Sequence, residues 1–262
     1  MTHIKSFKQL NKNSVSEAGG KGASLGEMTN AKIPVPPGFV VLASAFDRFL
    51  KETDLDSEIE AILKKVNHKD INSVDKASAQ IRELIADSPM PQDLKLDIVK
   101  HFKILKSKFV AVRSSATAED SKTASWAGEL ETYLNVIEKD VVAMVKKCWS
   151  SLFTPRAIFY RFEKKLHKKI VSVAVVVQSM VQSEVSGISF TVHPVTKDYN
   201  QMVLEAGFGL GEAIVSGSVT PDTYVVHKDD FSILDINVSE QTMAIYKVGT
   251  KNVDKKLSLK VN

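Results

Sequence analysis

The run Val171–Val177, VSVAVVV, restricts this chain more than any other stretch. Its side chains are apolar on both sides of an extended backbone, the pattern of a strand buried on both faces. It also marks a change in character. Before it, apolar residues recur at helical spacing in three segments: Leu55, Ile59, Ile62, Leu63 and Val66; Val74, Ala77, Ile81, Leu84 and Ile85; Leu94, Ile98, Phe102 and Leu105. Val141–Arg161 reads as a further helix, broken or restarted near Thr154-Pro155. After it, Gly187–Val192, Met202–Ala206, Thr223–His227 and Phe231–Val238 read as strands. The expected class is α+β. The expected division is a first lobe over residues 1–168, with a helical insertion at about 53–106, and a β-rich second lobe over 169–262. Lysine-rich Lys164–Lys169 is read as their surface connection.

Two stretches of the first lobe carry candidate chemistry. In SVSEAGGKGASLG, Gly19-Gly20-Lys21-Gly22 is read as a flexible turn before a short helix over Ala23–Lys32. Lys21 then sits at a helix N-terminus, where backbone donors favour an anion. A Walker A loop is excluded, because Val15 and Gly22 stand where that pattern needs glycine and Ser or Thr. The second stretch runs from a strand-like Phe109–Val112 into Arg113, through small and polar residues to Ala127-Gly128, and back along Thr132–Val136. Small side chains let backbone N–H groups approach a ligand, and a guanidinium at a strand end can hold two oxygens at once. An anion, with phosphate first, is the expected ligand.

Other segments are read structurally. Pro34, Pro36 and Pro37 force an extended segment before a strand at Phe39–Leu42, and Ser44 is placed as the N-cap of a helix reaching Leu50. Gly207–Glu212 follows a strand but has Glu212 where a dinucleotide fingerprint needs glycine. Its backbone is left to approach either a nucleotide or a partner strand. Cys148 is the only cysteine, which excludes an intrachain disulfide and a thiolate cluster, and it is read as a packed small hydrophobe. The net charge of +4, from 35 basic and 31 acidic residues, is too diffuse for a nucleic-acid surface. MTHIKSFKQL lacks the apolar core of a signal peptide, and no run approaches the roughly 18 apolar residues of a membrane span. A cytoplasmic enzyme or binding module, without membrane or nucleic-acid partners, is expected.

The stretches GGKGASLGEM, VPPGFVV, AVRSSATAEDSKTASWAGELETYLNV, CWSSLF, AVVVQSMV, VSGISFTVHPVT and EAGFGLGEAIVSGSVTPDTYVV occur in order from about Ser14 to Val226. Together they resemble the N-terminal ATP-grasp region of the phosphoenolpyruvate synthase (pyruvate, water dikinase) family. Pyruvate phosphate dikinase and rifampicin phosphotransferase share much of the pattern. The resemblance implies an ATP-grasp fold whose two lobes clamp the nucleotide. It implies Lys21 and Arg113 as catalytic contacts to the ATP phosphates, and Gly128, Thr132 and Tyr133 on the triphosphate side. It further implies Gln178 as a nucleotide contact, Met180 and Val181 beside the adenine, and Glu205 near the site. The implied reaction splits ATP to AMP and passes phosphoryl groups to a histidine on a separate swivelling domain. Pyruvate then accepts the phosphoryl group in a further barrel domain.

The sequence also departs from the family. No segment resembling DIEW and no QxRP-like strand is present, so the carboxylates that hold Mg²⁺ in the family are expected beyond residue 262. No metal ligand is assigned; Glu119 and Asp120 are read as solvated or structural. His193 does not stand in the family's histidine motif and is given a structural or surface role. The second lobe is expected to be truncated, and the chain to bind ATP without full dikinase activity. The alternatives are the ATP lobe of a rifampicin-type transferase and a non-catalytic ATP-binding module.

Overall fold

The computed structural model describes residues 2–117, 131–163 and 172–257. Gly128, Glu119, Asp120 and Lys164–Lys169 lie outside them. The chain forms two compact units, Met1–Met180 and Val181–Asn262.

In chain order, the first unit contains β1 (Ile4–Ser6), α1 (Val15–Asn30), β2 (Gly38–Val41), α2 (Ala43–Glu52), α3 (Leu55–Lys64), α4 (Ile71–Asp87) and α5 (Gln92–Ile104). It continues with β3 (Val110–Ala116), β4 (Thr132–Val136), α6 (Val141–Ser150), α7 (Pro155–Glu163) and β5 (Val173–Ser179). The strands make one sheet in the order β1-β2-β5-β3-β4, antiparallel throughout. β5 lies at its centre and is buried along its first six residues. Alternation then sorts its side chains. Val173, Val175 and Val177 join Phe39, Val41, Val110 and Val112 in a core covered by residues of α2–α7. Ala174 and Val176 join Val40, Leu42, Phe7, Leu10 and Ala18 in a second core under α1. The three apolar helix faces read from periodicity all line the first core. There Trp149 packs between Phe46 and Phe49, with ring centroids 5.4 and 5.1 Å away.

Three local expectations change. The boundary falls after Met180 rather than after residue 168, because β5 pairs with both β2 and β3 and cannot leave the first sheet. α2 begins at Ala43, with Leu42 at its cap position, and Ser44 instead meets His3 Nδ1 at 3.1 Å. Gly19–Gly22 is not a free turn but a kink inside the helical run of α1, where Gly19 takes φ 68° and ψ 171°. The break between α6 and α7 is as expected: Thr154 Oγ1 accepts the Ala157 N–H at 3.1 Å ahead of Pro155.

The second unit holds β6 (Val185–Phe190), β7 (Gln201–Phe208), the short α8 (Glu212–Val215), β8 (Asp222–His227), β9 (Ile233–Asn237), β10 (Met243–Val248) and β11 (Lys251–Lys256). β6 to β9 form a sheet in sequence order, and β10 and β11 form a separate hairpin. That hairpin was not foreseen, since its second strand is lysine-rich and largely exposed.

Candidate functional site

Near the end of β3, α1 lies very close to the sheet. A Cβ added at Gly19 would overlap the Ser115 side chain and carbonyl, and the Gly22 N–H donates to Ser115 Oγ at 3.3 Å across 93 residues of sequence. A Cβ at Gly26 would likewise overlap Leu10 at 2.6 Å, while one at Gly22 would press less closely on Ala18 and Val40, at 3.0 and 3.1 Å. These glycines bring the helix onto the strands, and their close contacts leave no room for a free loop. The helix resumes after Gly19, so half-buried Lys21 stands in the first turn of that resumed segment.

Arg113 reaches the same region from the strand. It is registered against Val176 of β5 on one side and Thr132 of β4 on the other. Registered partners share a face, and Val176 belongs to the core under α1, so Arg113, Thr132 and Ser115 stand on the α1 face. Arg113 and Thr132 are therefore side by side on the α1 face, and Lys21 adjoins Gly22, whose N–H meets Ser115 two residues on from Arg113. Gln178 shares that face through its register with Ala111, but its amide Nε2 donates to the Pro36 carbonyl at 3.1 Å. The Met180 N–H is likewise engaged, with the Phe109 carbonyl at 3.0 Å.

Tyr133 takes the opposite face. It pairs with Val112, packs against the helical core, lies under Lys147 Nζ at 5.7 Å and hydrogen bonds through its hydroxyl to the Glu131 carboxylate. Burial, then the Glu131 contact, hold its phenol well above the usual range. Its side chain does not join Lys21 and Arg113, since adjacent strand residues point apart. Glu131 and Ser115 are contacts that motif reading passed over, although both adjoin the residues it singled out. Arg82, which meets Glu131 Oε1 at 3.0 Å, lies in a helix that carries little of the resemblance.

In the second unit, Val181 is 58% exposed and Glu205 sits in β7 between Ile188 and Thr223. Gly209 (φ 78°) has no space for a Cβ beside the Ile245 carbonyl, which accepts the Leu210 N–H at 2.8 Å. Ser183 and Ser186 hydroxyls donate to the Gly209 carbonyl at 3.1 and 2.7 Å. The glycine loop thus serves the approach of a partner strand. His193 Nδ1 accepts the Val195 and Thr196 N–H groups, each at 3.3 Å, which fixes it as the pivot of a turn.

The chain matches the family described as pyruvate phosphate dikinase, AMP/ATP-binding domain, over residues 15–261. It belongs to that family. Among curated proteins, it is 47% identical over 253 residues to a probable phosphoenolpyruvate synthase of Methanocaldococcus jannaschii, covering 94% of this chain and 21% of that protein. It is 42% identical over 262 residues to a probable phosphoenolpyruvate synthase of Methanothermobacter thermautotrophicus, covering 97% and 38%. The phosphoenolpyruvate synthase of Pyrococcus furiosus is 40% identical over 283 residues, covering 93% and 35%. The chain thus spans a minor part of each of these relatives' length.

As a member of the AMP/ATP-binding domain family, the chain carries its two candidate cations, Lys21 and Arg113, on secondary structure rather than on a mobile loop. Cys148 is buried, which pushes its thiol up to about 12 and disfavours the reactive thiolate. Among the described residues no group of three or more His, Cys, Asp or Glu side chains could hold a metal ion, and no helix is long and apolar enough to cross a membrane.

Proposed function

We propose that this chain is the ATP-binding part of a phosphoenolpyruvate synthase, built as an ATP-grasp domain and working in the cytoplasm. The observation that carries the reading is that Arg113 stands on the α1 face of β3 with Thr132 registered directly beside it, while Gly22, next to Lys21, donates its N–H to Ser115 of the same strand. Lys21 and Arg113 hold the ATP phosphates, Gly128 and Thr132 contribute on the triphosphate side, and Tyr133 takes part through its backbone. Gln178, Met180, Val181 and Glu205 complete the nucleotide contacts, Met180 through its carbonyl and side chain. The names of the relatives support the synthase branch over an antibiotic phosphotransferase.

In this reading a histidine nitrogen on a separate domain attacks the β-phosphorus of ATP, the bond to the α-phosphate breaks, and AMP leaves. Water then releases the γ-phosphate, and the remaining phosphohistidine delivers its phosphoryl group to pyruvate on a further domain. The contribution of this chain's residues is to hold the triphosphate in line and to offset its charge before reaction, so that little reorganisation is left for the transition state. Mg²⁺ accompanies the nucleotide in this scheme. The described residues offer no trio of ligands for it.

Calorimetric titration with ATP, with and without Mg²⁺, tests the reading. Saturable binding that is weakened in Lys21→Ala and Arg113→Ala is expected; absence of any ATP binding would overturn it. Efficient production of AMP and phosphoenolpyruvate by this chain alone would refute the division of labour between domains.

A further inference from the structure

The residues on either side of 118–130 are held by separate anchors. Before them, the Thr117 N–H and Oγ1 donate to the Ser172 carbonyl at 3.3 and 2.9 Å. After them, Glu131 is held at both ends. Its carbonyl accepts the Ser114 N–H at 3.2 Å and Ser114 Oγ at 2.9 Å. Its carboxylate takes Arg82 Nη2 on one oxygen at 3.0 Å and the Tyr133 hydroxyl on the other. Thr132 and Arg113, registered against each other, follow directly from that post.

Resting on the ATP-binding reading above, we infer that Arg82 is a positioning residue for nucleotide binding, acting through Glu131. Arg82 comes from α4, which is fixed independently by buried Val74, Ala77, Ile81 and Ile85. A pair whose side chains are 33% and 30% exposed adds little to global stability. Its location gives it another use. It fixes the start of β4, and so the register that sets Thr132 beside Arg113. It also offsets a carboxylate one residue from Thr132, where an unbalanced negative charge would repel a triphosphate.

Arg82→Gln should weaken ATP binding about three- to tenfold in calorimetry while leaving adenosine binding unchanged. Arg82→Lys should recover most of the loss, because only one guanidinium nitrogen contacts Glu131 and the charge is retained. In a Glu131→Gln background, Arg82→Gln should add no further loss. Hydrogen exchange at the Ser114 N–H should quicken in Arg82→Gln, whether or not nucleotide is present. If Arg82→Gln does not fold, Tyr133→Phe, which keeps the ring and loses the contact to Glu131, tests the same post with a smaller expected loss. Unchanged ATP affinity in a folded Arg82→Gln, equal losses for ATP and adenosine, or additive losses with Glu131→Gln would each overturn the inference. A wild-type chain that binds no ATP would instead sink the ATP reading. The Ser114 exchange rate would then still decide whether Arg82 holds the strand pair.

Discussion

Replacing Gly19 by alanine tests the packing on which the candidate site depends. At φ 68° and ψ 171°, Gly19 occupies a region open essentially to glycine, and moving another residue there costs about 1–3 kcal/mol. The new methyl would also overlap the Ser115 carbonyl, a backbone group that cannot rotate away, which adds about 1–3 kcal/mol of overpacking. The sum is about 2–6 kcal/mol. With a urea slope of about 2 kcal/mol/M, the unfolding midpoint should fall by about 1–3 M. Tryptophan fluorescence is a suitable probe, because Trp126 and Trp149 both precede the unit boundary at Met180. Gly22→Ala supplies the control. Gly22 sits in the helical run without positive φ, and its new methyl would press on side-chain atoms only, Ala18 Cβ at 3.0 Å and Val40 at 3.1 Å, so its loss should be smaller, about 1 kcal/mol. Adding Ser115→Ala to Gly19→Ala should recover only part of the loss, since the carbonyl stays in place. A Gly19→Ala midpoint within error of wild type would refute the claim that the kink is required by α1 lying on β3.

Other consequences are measurable separately. Lys21→Ala and Arg113→Ala should each weaken ATP binding about tenfold or more, from the loss of a charged hydrogen bond of roughly 1.5–3 kcal/mol. Lys64→Ala, at an exposed i,i+4 pair with Glu60, should leave the same calorimetric titration unchanged. Cys148 should resist thiol reagents in the folded chain. Its folded pKa is raised, so the stability it contributes is complete below its ordinary value of 9.0. That stability is lost as pH climbs from about 9 toward about 12, where the unfolded thiol ionises and the folded one does not. Cys148→Ala should flatten that alkaline limb in denaturant titrations repeated across pH. Thr154→Ala removes the cap on α7 and should cost about 1 kcal/mol by chemical denaturation.

Much of the first unit was readable in advance. The apolar faces of α3, α4 and α5 followed from spacing alone, because a helix fixes which residues share a face without reference to anything outside itself. The restart at Thr154-Pro155 was equally local. Lys21 stood out for its setting at a helix start, which the resumed helix after Gly19 supplies; Arg113, expected at a strand end, instead lies mid-strand, because β3 stays paired with β5 as far as Ala116. Arg82 gave no such signal. Its importance depends on Glu131, 49 residues away in sequence, and nothing in the pattern of α4 points there.

The amino-acid sequence by itself determined that Val173–Val177 is a strand covered on two sides, since alternating apolar side chains are a property of the backbone. Only the tertiary structure decided what covers it: α1 with the small residues of its glycine run on one face, and α2–α7 on the other. The same holds for the unit boundary, which depends on β5 pairing with β2 and β3 across long stretches of chain. It holds for Tyr133 as well. Adjacent strand residues point to opposite faces, so the register that places Thr132 beside Arg113 turns the Tyr133 side chain away from it. Local sequence sets the shape of each element. Contacts between residues far apart in the chain select its partners and its register, and the candidate site depends on both.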